Sequence, residues 1–106
     1  MVVRKDTRLP VQCSVTYVLE TSSGEGTIFN MSRNGCAIES DDMVQEGSSV
    51  SLQIMASGES KAIRVELGKV SWATRREFGV EFLVIHAESK DRLNRFLTEV
   101  VKQNAG

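Results

Sequence analysis

Between residues 11 and 19 every second position is apolar: Val11, Cys13, Val15, Tyr17 and Leu19, with Gln12, Ser14 and Thr16 between them. A period of two marks a strand with one buried face. Pro10 stands at its start, where a missing N–H is tolerated. It also biases Leu9 toward an extended backbone, so no helix runs from the preceding residues into the strand. Ser22-Ser23-Gly24 breaks the pattern. Residues 26–29 predict a short second strand, and the turn signal Asn34-Gly35 leads into a third that begins at Cys36 and Ile38.

Residues 41–48 are polar and irregular, with Gly47 as a turn residue; Val50, Leu52 and Ile54 then predict a fourth strand, turned back by Ser57-Gly58-Glu59. Ile63, Val65 and Leu67 alternate on odd numbers, Val70 and Trp72 on even ones. The parity reverses at Gly68, where a bulge would keep one continuous inward face. After a loop at 73–77, Phe78, Val80 and Phe82 make a last strand. Leu93, Phe96, Leu97, Val100 and Val101 then follow i, i+3, i+4, i+7, i+8, an amphipathic helix with Ser89 as a candidate N-cap or with a start a few residues earlier. The pattern predicts an all-β fold: a six-stranded antiparallel β-barrel over 10–85 with a C-terminal α-helix over 87–103. Residues 1–9 read as a flexible arm ahead of the barrel, and 1–106 as a single domain.

Composition narrows the function classes. Apolar residues at 41% and charged residues at 25% describe an ordinary globular chain rather than a disordered one. A net charge of −1 supplies no global field for nucleic acid, so anion binding must come from local clusters. Arg4, Lys5 and Arg8 around Asp6 form one cluster, and Arg75-Arg76 another. No apolar run reaches bilayer length, and the N-terminus lacks the apolar core of a signal peptide, so the expectation is a cytoplasmic protein with no membrane insertion. Cys13 and Cys36 are not in CxxC or metal-ligand spacing. Both lie on core parity and read as reduced core residues, a Cys13–Cys36 disulfide being the alternative. With His86 as the single histidine there is no Cys/His set for a metal and no Cys/His pair for nucleophilic catalysis. Neither an enzyme nor a cofactor is expected.

Two short motifs flank the first hairpin: Arg4-Lys5-Asp6-Thr7-Arg8 and Asn30-Met31-Ser32-Arg33-Asn34-Gly35. Arginine pairs with phosphate oxygens through a planar fork and matches guanine O6/N7 bidentately. An amide oxygen accepts from guanine N1–H or N2–H, and a hydroxyl donates or accepts. Gly35 reads as a position of positive φ or of close backbone approach. Taken singly, the first motif also reads as a solvated basic tail and the second as a capped turn. Trp72 has two readings, a core residue or a border of the site that stacks on a base.

In this order, on either side of the alternating strand, the motifs resemble the PilZ domain family. Gly68-Lys69-Val70, Gly79-Val80-Glu81-Phe82 and the closing helix extend the resemblance over nearly the whole chain. It implies a six-stranded barrel that binds the bacterial second messenger cyclic di-GMP. It implies that Arg4 and Arg8 hold phosphates and guanine Hoogsteen edges, that Asn30 and Ser32 take the other guanine edge, and that Gly35 shapes the turn. The full expected ligand set is Arg4, Lys5, Arg8, Asn30, Ser32, Gly35 and Trp72, with Arg75 and Arg76 available to a second ligand copy. Two departures stand out: Asn30 where Asp is the other common choice, and Asn34 where a second Gly is frequent. Asn tolerates the left-handed region, so the turn is expected to survive. The expected function is a cyclic di-GMP receiver in which ligand orders the arm and a downstream protein partner reads the change. The alternative is a PilZ-like protein-interaction module that binds no nucleotide. A single-stranded nucleic-acid barrel needs exposed aromatics along a basic groove; the six aromatics fall mostly on core parity, so DNA and RNA are not expected partners.

Overall fold

Six strands and one helix follow one another in the computed structural model, which describes residues 8–105. They are β1 (Leu9–Leu19), β2 (Ser23–Met31), β3 (Gly35–Glu39), β4 (Ser49–Met55), β5 (Ile63–Ala73), β6 (Glu77–Val84) and α1 (Ala87–Ala105). The strands close into a barrel in the order β1-β2-β3-β6-β5-β4, every pair antiparallel. Closure gives each strand two neighbours and leaves no edge to template aggregation. The all-β barrel with one terminal helix is thus as the alternation predicts, and Leu9, assigned to the arm, is instead the first residue of β1, paired with Met31. The rest of the expected arm, with Arg4 and Lys5, lies outside the described residues apart from Arg8.

The inward positions of β1 are Cys13, Val15 and Tyr17, each at most 2% exposed. They meet Ile28, Ile38, Leu52, Ile54, Val65 and Phe78 in one core cluster. Tyr17 and Phe78 pack edge to face with centroids 5.3 Å apart, a geometry worth ~0.5–1.5 kcal/mol beyond its area. Cys13 and Cys36 are both free and buried. Burial pushes their thiols up to about 11 and about 12.

α1 covers one end through Leu93, Phe96 and Leu97. Ser89 does not cap it. The helix begins at Ala87, the His86 carbonyl accepts from Lys90 N–H at 2.9 Å, and the buried Ser89 hydroxyl accepts from the Arg64 N–H of β5 at 3.0 Å. A bidentate Arg95–Glu59 pair ties α1 to the β4–β5 turn and holds the Glu59 carboxyl below its ordinary value.

The barrel's register is broken by bulges, and these decide what faces outward. Four residues of β5 (65–68) stand opposite three of β4 (50–52), so the extra residue sits beside Gly68, as the parity reversal predicts. Leu67 is the cost of that bulge: it was expected to face inward and is exposed. In β2 the extra residue is Phe29, between the pairs Ile28↔Ile38 and Asn30↔Ala37. It lets Ile28 and Met31, three apart, both reach the core and aims Asn30 outward. In β5 the extra residue against β6 is Ser71, between Val70↔Val80 and Trp72↔Gly79.

Candidate functional site

β2 is longer than residues 26–29, and it carries Asn30 inside the strand rather than beyond its end. The link to β3 is the short turn 32–34. Ser32 N–H donates to the Gly35 carbonyl at 2.8 Å, and Ser32 Oγ accepts from Asn34 N–H at 3.1 Å. Ser32 is 2% exposed, so its hydroxyl is engaged in holding the turn. The Asn34 carbonyl accepts from Phe82 N–H at 2.8 Å, docking the turn on β6. Asn34 does not use the left-handed region: among the described residues only Gly47 and Gly58 have positive φ.

Gly35 is therefore a matter of space. A Cβ at this position would sit 2.5 Å from the Val80 carbonyl oxygen, a backbone atom that cannot yield, and 3.2 Å from Arg8 Nη2. The bare backbone makes the bed on which the Arg8 guanidinium lies. Arg8 Nη1 donates to Asn30 Oδ1 at 3.0 Å across 22 residues of sequence. The two motifs thus meet in space, and Arg8, the last residue of the RxxxR, already has a protein partner without ligand. The bond also orients the amide, because only the oxygen of Asn30 can accept from a guanidinium. The Nδ2 donors are left for something else. Arg8 is close enough to Cys36 that its charge opposes the burial-driven rise of that thiol.

The cross-strand register extends this corner over the outer wall. Asn30 pairs with Ala37, Ala37 with Gly79 and Gly79 with Trp72, a row that crosses β2, β3, β6 and β5. Cys36, Ile38, Phe78 and Val80 are buried in the core, so Ala37 and Gly79 between them point away from it; both are nevertheless buried, Gly79 beneath the Trp72 indole. Trp72 is not a member of the core cluster; it is half-buried, and its indole lies where a Cβ on Gly79 would have to go. The Ser71 bulge is what turns it there. The row has a polar end at Arg8 and Asn30, two small buried residues in its middle and an aromatic end at Trp72. That suits a flat, anionic, hydrogen-bonding ligand: charge at one end, stacking at the other.

Arg8, Asn30, Ser32 and Gly35 are thereby brought together; Trp72 ends the same row three strands from Asn30, ~14 Å away, and Arg75 and Arg76 lie off the row. The Arg76 carbonyl accepts from Ser40 N–H, and its guanidinium pairs with Asp41 at 3.2 Å. That is the opposite end of β3 from Gly35, ~13 Å along the strand. Gly79 and Ala37, the buried middle of the row, are not among the expected site residues. Their outward parity was readable, but not which strands flank them. Among the described residues no group of His, Cys, Asp or Glu could hold a metal ion, and no helix is long and apolar enough to cross a membrane.

Comparison with known proteins agrees with this architecture. No curated protein matches the chain. Among solved structures, the chain is similar to the Bacillus subtilis inhibitor of motility MotI/DgrA, with a TM-score of 0.74 and 19% identity over 99% of this chain and 53% of that one. The chain thus spans about half the length of that protein. It is also similar to the PilZ domain of CeSA from a cellulose-synthesizing bacterium, with a TM-score of 0.70 and 12% identity over 89% of this chain and 97% of that one. At such identities the likeness is one of fold. The family model for the PilZ domain matches residues 3–99, nearly the whole barrel and helix, and with Arg8 of the RxxxR meeting Asn30 of the Asn-x-Ser-x-x-Gly motif over Gly35 the chain belongs to the PilZ domain family.

Proposed function

We propose that this chain binds cyclic di-GMP and acts as a cytoplasmic receiver for that messenger rather than as an enzyme. The observation that carries the reading is the Arg8–Asn30 hydrogen bond over the bare Gly35 backbone. It joins the two family motifs into one polar corner, and it leaves most of the five guanidinium donors available for phosphate and for guanine O6/N7. Arg4 and Lys5, carried by the segment ahead of β1, close over the bound ligand with further phosphate contacts. Asn30 and the turn held by Ser32 border one guanine, and Trp72 stacks on a base at the other end of the row. Closure of the segment is the change that a downstream protein partner reads.

The test is calorimetric titration with cyclic di-GMP, with linear pGpG and GTP as controls, followed by amide hydrogen exchange. The expected result is saturable binding of the cyclic dinucleotide alone, with protection gained at residues 4–8. A flat titration, with the protein folded, overturns the reading and favours a protein-interaction module that takes no nucleotide. Binding without any change in exchange at residues 4–8 removes the closing segment and leaves the site.

A further inference from the structure

The outer wall carries a second polar row. Val80 is in the core, so Glu81 faces outward, and it is exposed. Glu81 pairs with Gly35 on one side and with Lys69 on the other. Lys69 is exposed between the buried Gly68 and Val70. Starting from Arg8, which lies over Gly35, the row reads guanidinium, carboxylate, ammonium. It runs beside the row from Asn30 to Trp72, two residues further along β6. A groove lined by Glu81, Lys69, Ser71, Val70, Gly47 and a second carboxylate, Glu46, opens on it. Ser71 Oγ donates to the Gly79 carbonyl at 3.4 Å, so the groove wall is fastened to the middle of the first row. Among the described residues neither Lys69 nor Glu81 is in an ion pair.

The Asn30 amide explains why this row matters. Its oxygen already accepts from Arg8, and an amide oxygen is one acceptor atom. The Watson–Crick edge of guanine presents two adjacent donors, N1–H and N2–H. A carboxylate accepts both in parallel, with charge-assisted strength. Adenine has no N1–H to offer, so a carboxylate at this place also discriminates between the bases. A lone carboxylate would repel the phosphates of the same ligand. Lys69, directly across from Glu81, offsets that repulsion and supplies a phosphate contact of its own.

Resting on the cyclic di-GMP reading above, we propose that Glu81 is the residue that reads the guanine Watson–Crick edge in this site. Lys69 is its counter-charge and a phosphate ligand. The dinucleotide then spans from Arg8 across β3 and β6 into the groove on β5. Both side chains are exposed, so their substitution leaves the fold intact, which circular dichroism checks.

The experiment is titration of wild type, Glu81→Gln and Lys69→Ala with cyclic di-GMP and cyclic di-AMP, at 50 and 200 mM salt. Glu81→Gln is expected to lose at least tenfold in affinity for cyclic di-GMP and to lose preference over cyclic di-AMP by a similar factor. Lys69→Ala is expected to weaken both dinucleotides alike and to flatten the salt dependence. Cyclic di-GMP affinity in Glu81→Gln equal to or above that of wild type overturns the assignment and makes Glu81 a repulsive neighbour. That outcome leaves the cyclic di-GMP reading standing, because wild type still binds. Absence of binding by wild type overturns both.

Discussion

The two ends of β3 are built from the same local device and put to opposite uses. Before the strand, Ser32 Oγ accepts from the N–H two residues on, at 3.1 Å; after it, Ser40 Oγ does the same with Asp42, also at 3.1 Å. Both serines are buried. At the Ser40 end the device is closed from inside the barrel. Tyr17, 1% exposed, brings its hydroxyl to 2.5 Å from both Ser40 Oγ and Asp42 Oδ2, and the Ser40 hydroxyl also reaches the Glu25 carbonyl. At the Ser32 end no polar side chain of the core arrives among the described residues. The polar group that comes is Arg8, from outside, on a single bond to Asn30, with its other donors lacking a protein partner among the described residues. A saturated polar cluster contributes stability and specificity of packing. One joined by a single exchangeable bond contributes little stability and offers donors to a ligand.

The largest effect that separates the ends is expected from Arg8→Ala. Loss of charged hydrogen bonds, each ~1.5–3 kcal/mol, lowers cyclic di-GMP affinity by about tenfold or more. The urea midpoint stays near wild type, because only one half-buried bond is removed. Equal affinities in calorimetry would place the site elsewhere.

Tyr17→Phe is the mirror experiment. It removes the closing hydroxyl and leaves Ser40 and Asp42 facing a phenyl ring, at a cost of ~1–3 kcal/mol. Urea denaturation should show that loss while ligand affinity changes by less than about twofold. A large affinity loss would mean that the two ends are coupled through β3.

Alkali should act on the closed interior. Burial, with Asp42 as the next cause, raises the Tyr17 hydroxyl above 10.0, and burial raises Cys13 and Cys36 from 9.0 to about 11 and about 12. The folded state therefore holds these protons more tightly than the unfolded state. Their contribution is complete below pH 9 and is lost as pH rises through the folded values. The thermal midpoint is expected to be level between pH 7 and 8.5 and to fall steadily above pH 9. A midpoint that is level to pH 11 contradicts the burial of all three groups.

The smallest effect is expected from Asn30→Asp. A carboxylate adds an acceptor for guanine, but it also converts the existing bond to Arg8 into an ion pair in the free protein. The ligand gains and loses at the same atom, so affinity should stay within about threefold of wild type. A tenfold gain would show that Arg8 leaves Asn30 on binding, and a tenfold loss that Asn30 donates to the ligand through Nδ2.

Much of the barrel was legible because one buried face imposes strict alternation, and Cys13, Val15 and Tyr17 obey it. Gly68 betrayed its bulge because the parity on its two sides disagrees. The bulges at Phe29 and Ser71 left no such trace, since each is defined by the partner strand, and Trp72 was ambiguous for that reason. Leu67 misled because an apolar residue at a bulge looks the same as one in the core. At the site, Arg8, Asn30, Ser32 and Gly35 could be named from spacing, but the engagement of Ser32 within its own turn and the bed made by Gly35 could not.

The chain alone determined most of the residues that would be inside, how many strands they make, and where the helix begins to repeat at 3.6. These follow from local periodicity, since each strand or helix must bury its own apolar face. Tertiary structure decided which strands are neighbours. By pairing β3 with β6 rather than with β4, it set Gly35 beside Glu81 and Ala37 beside Gly79. The outer wall on which a ligand would lie is made of such cross-strand neighbours, each from a different strand, and no local periodicity encodes their adjacency. Only closure of the barrel, which requires every strand to find two partners, fixes it.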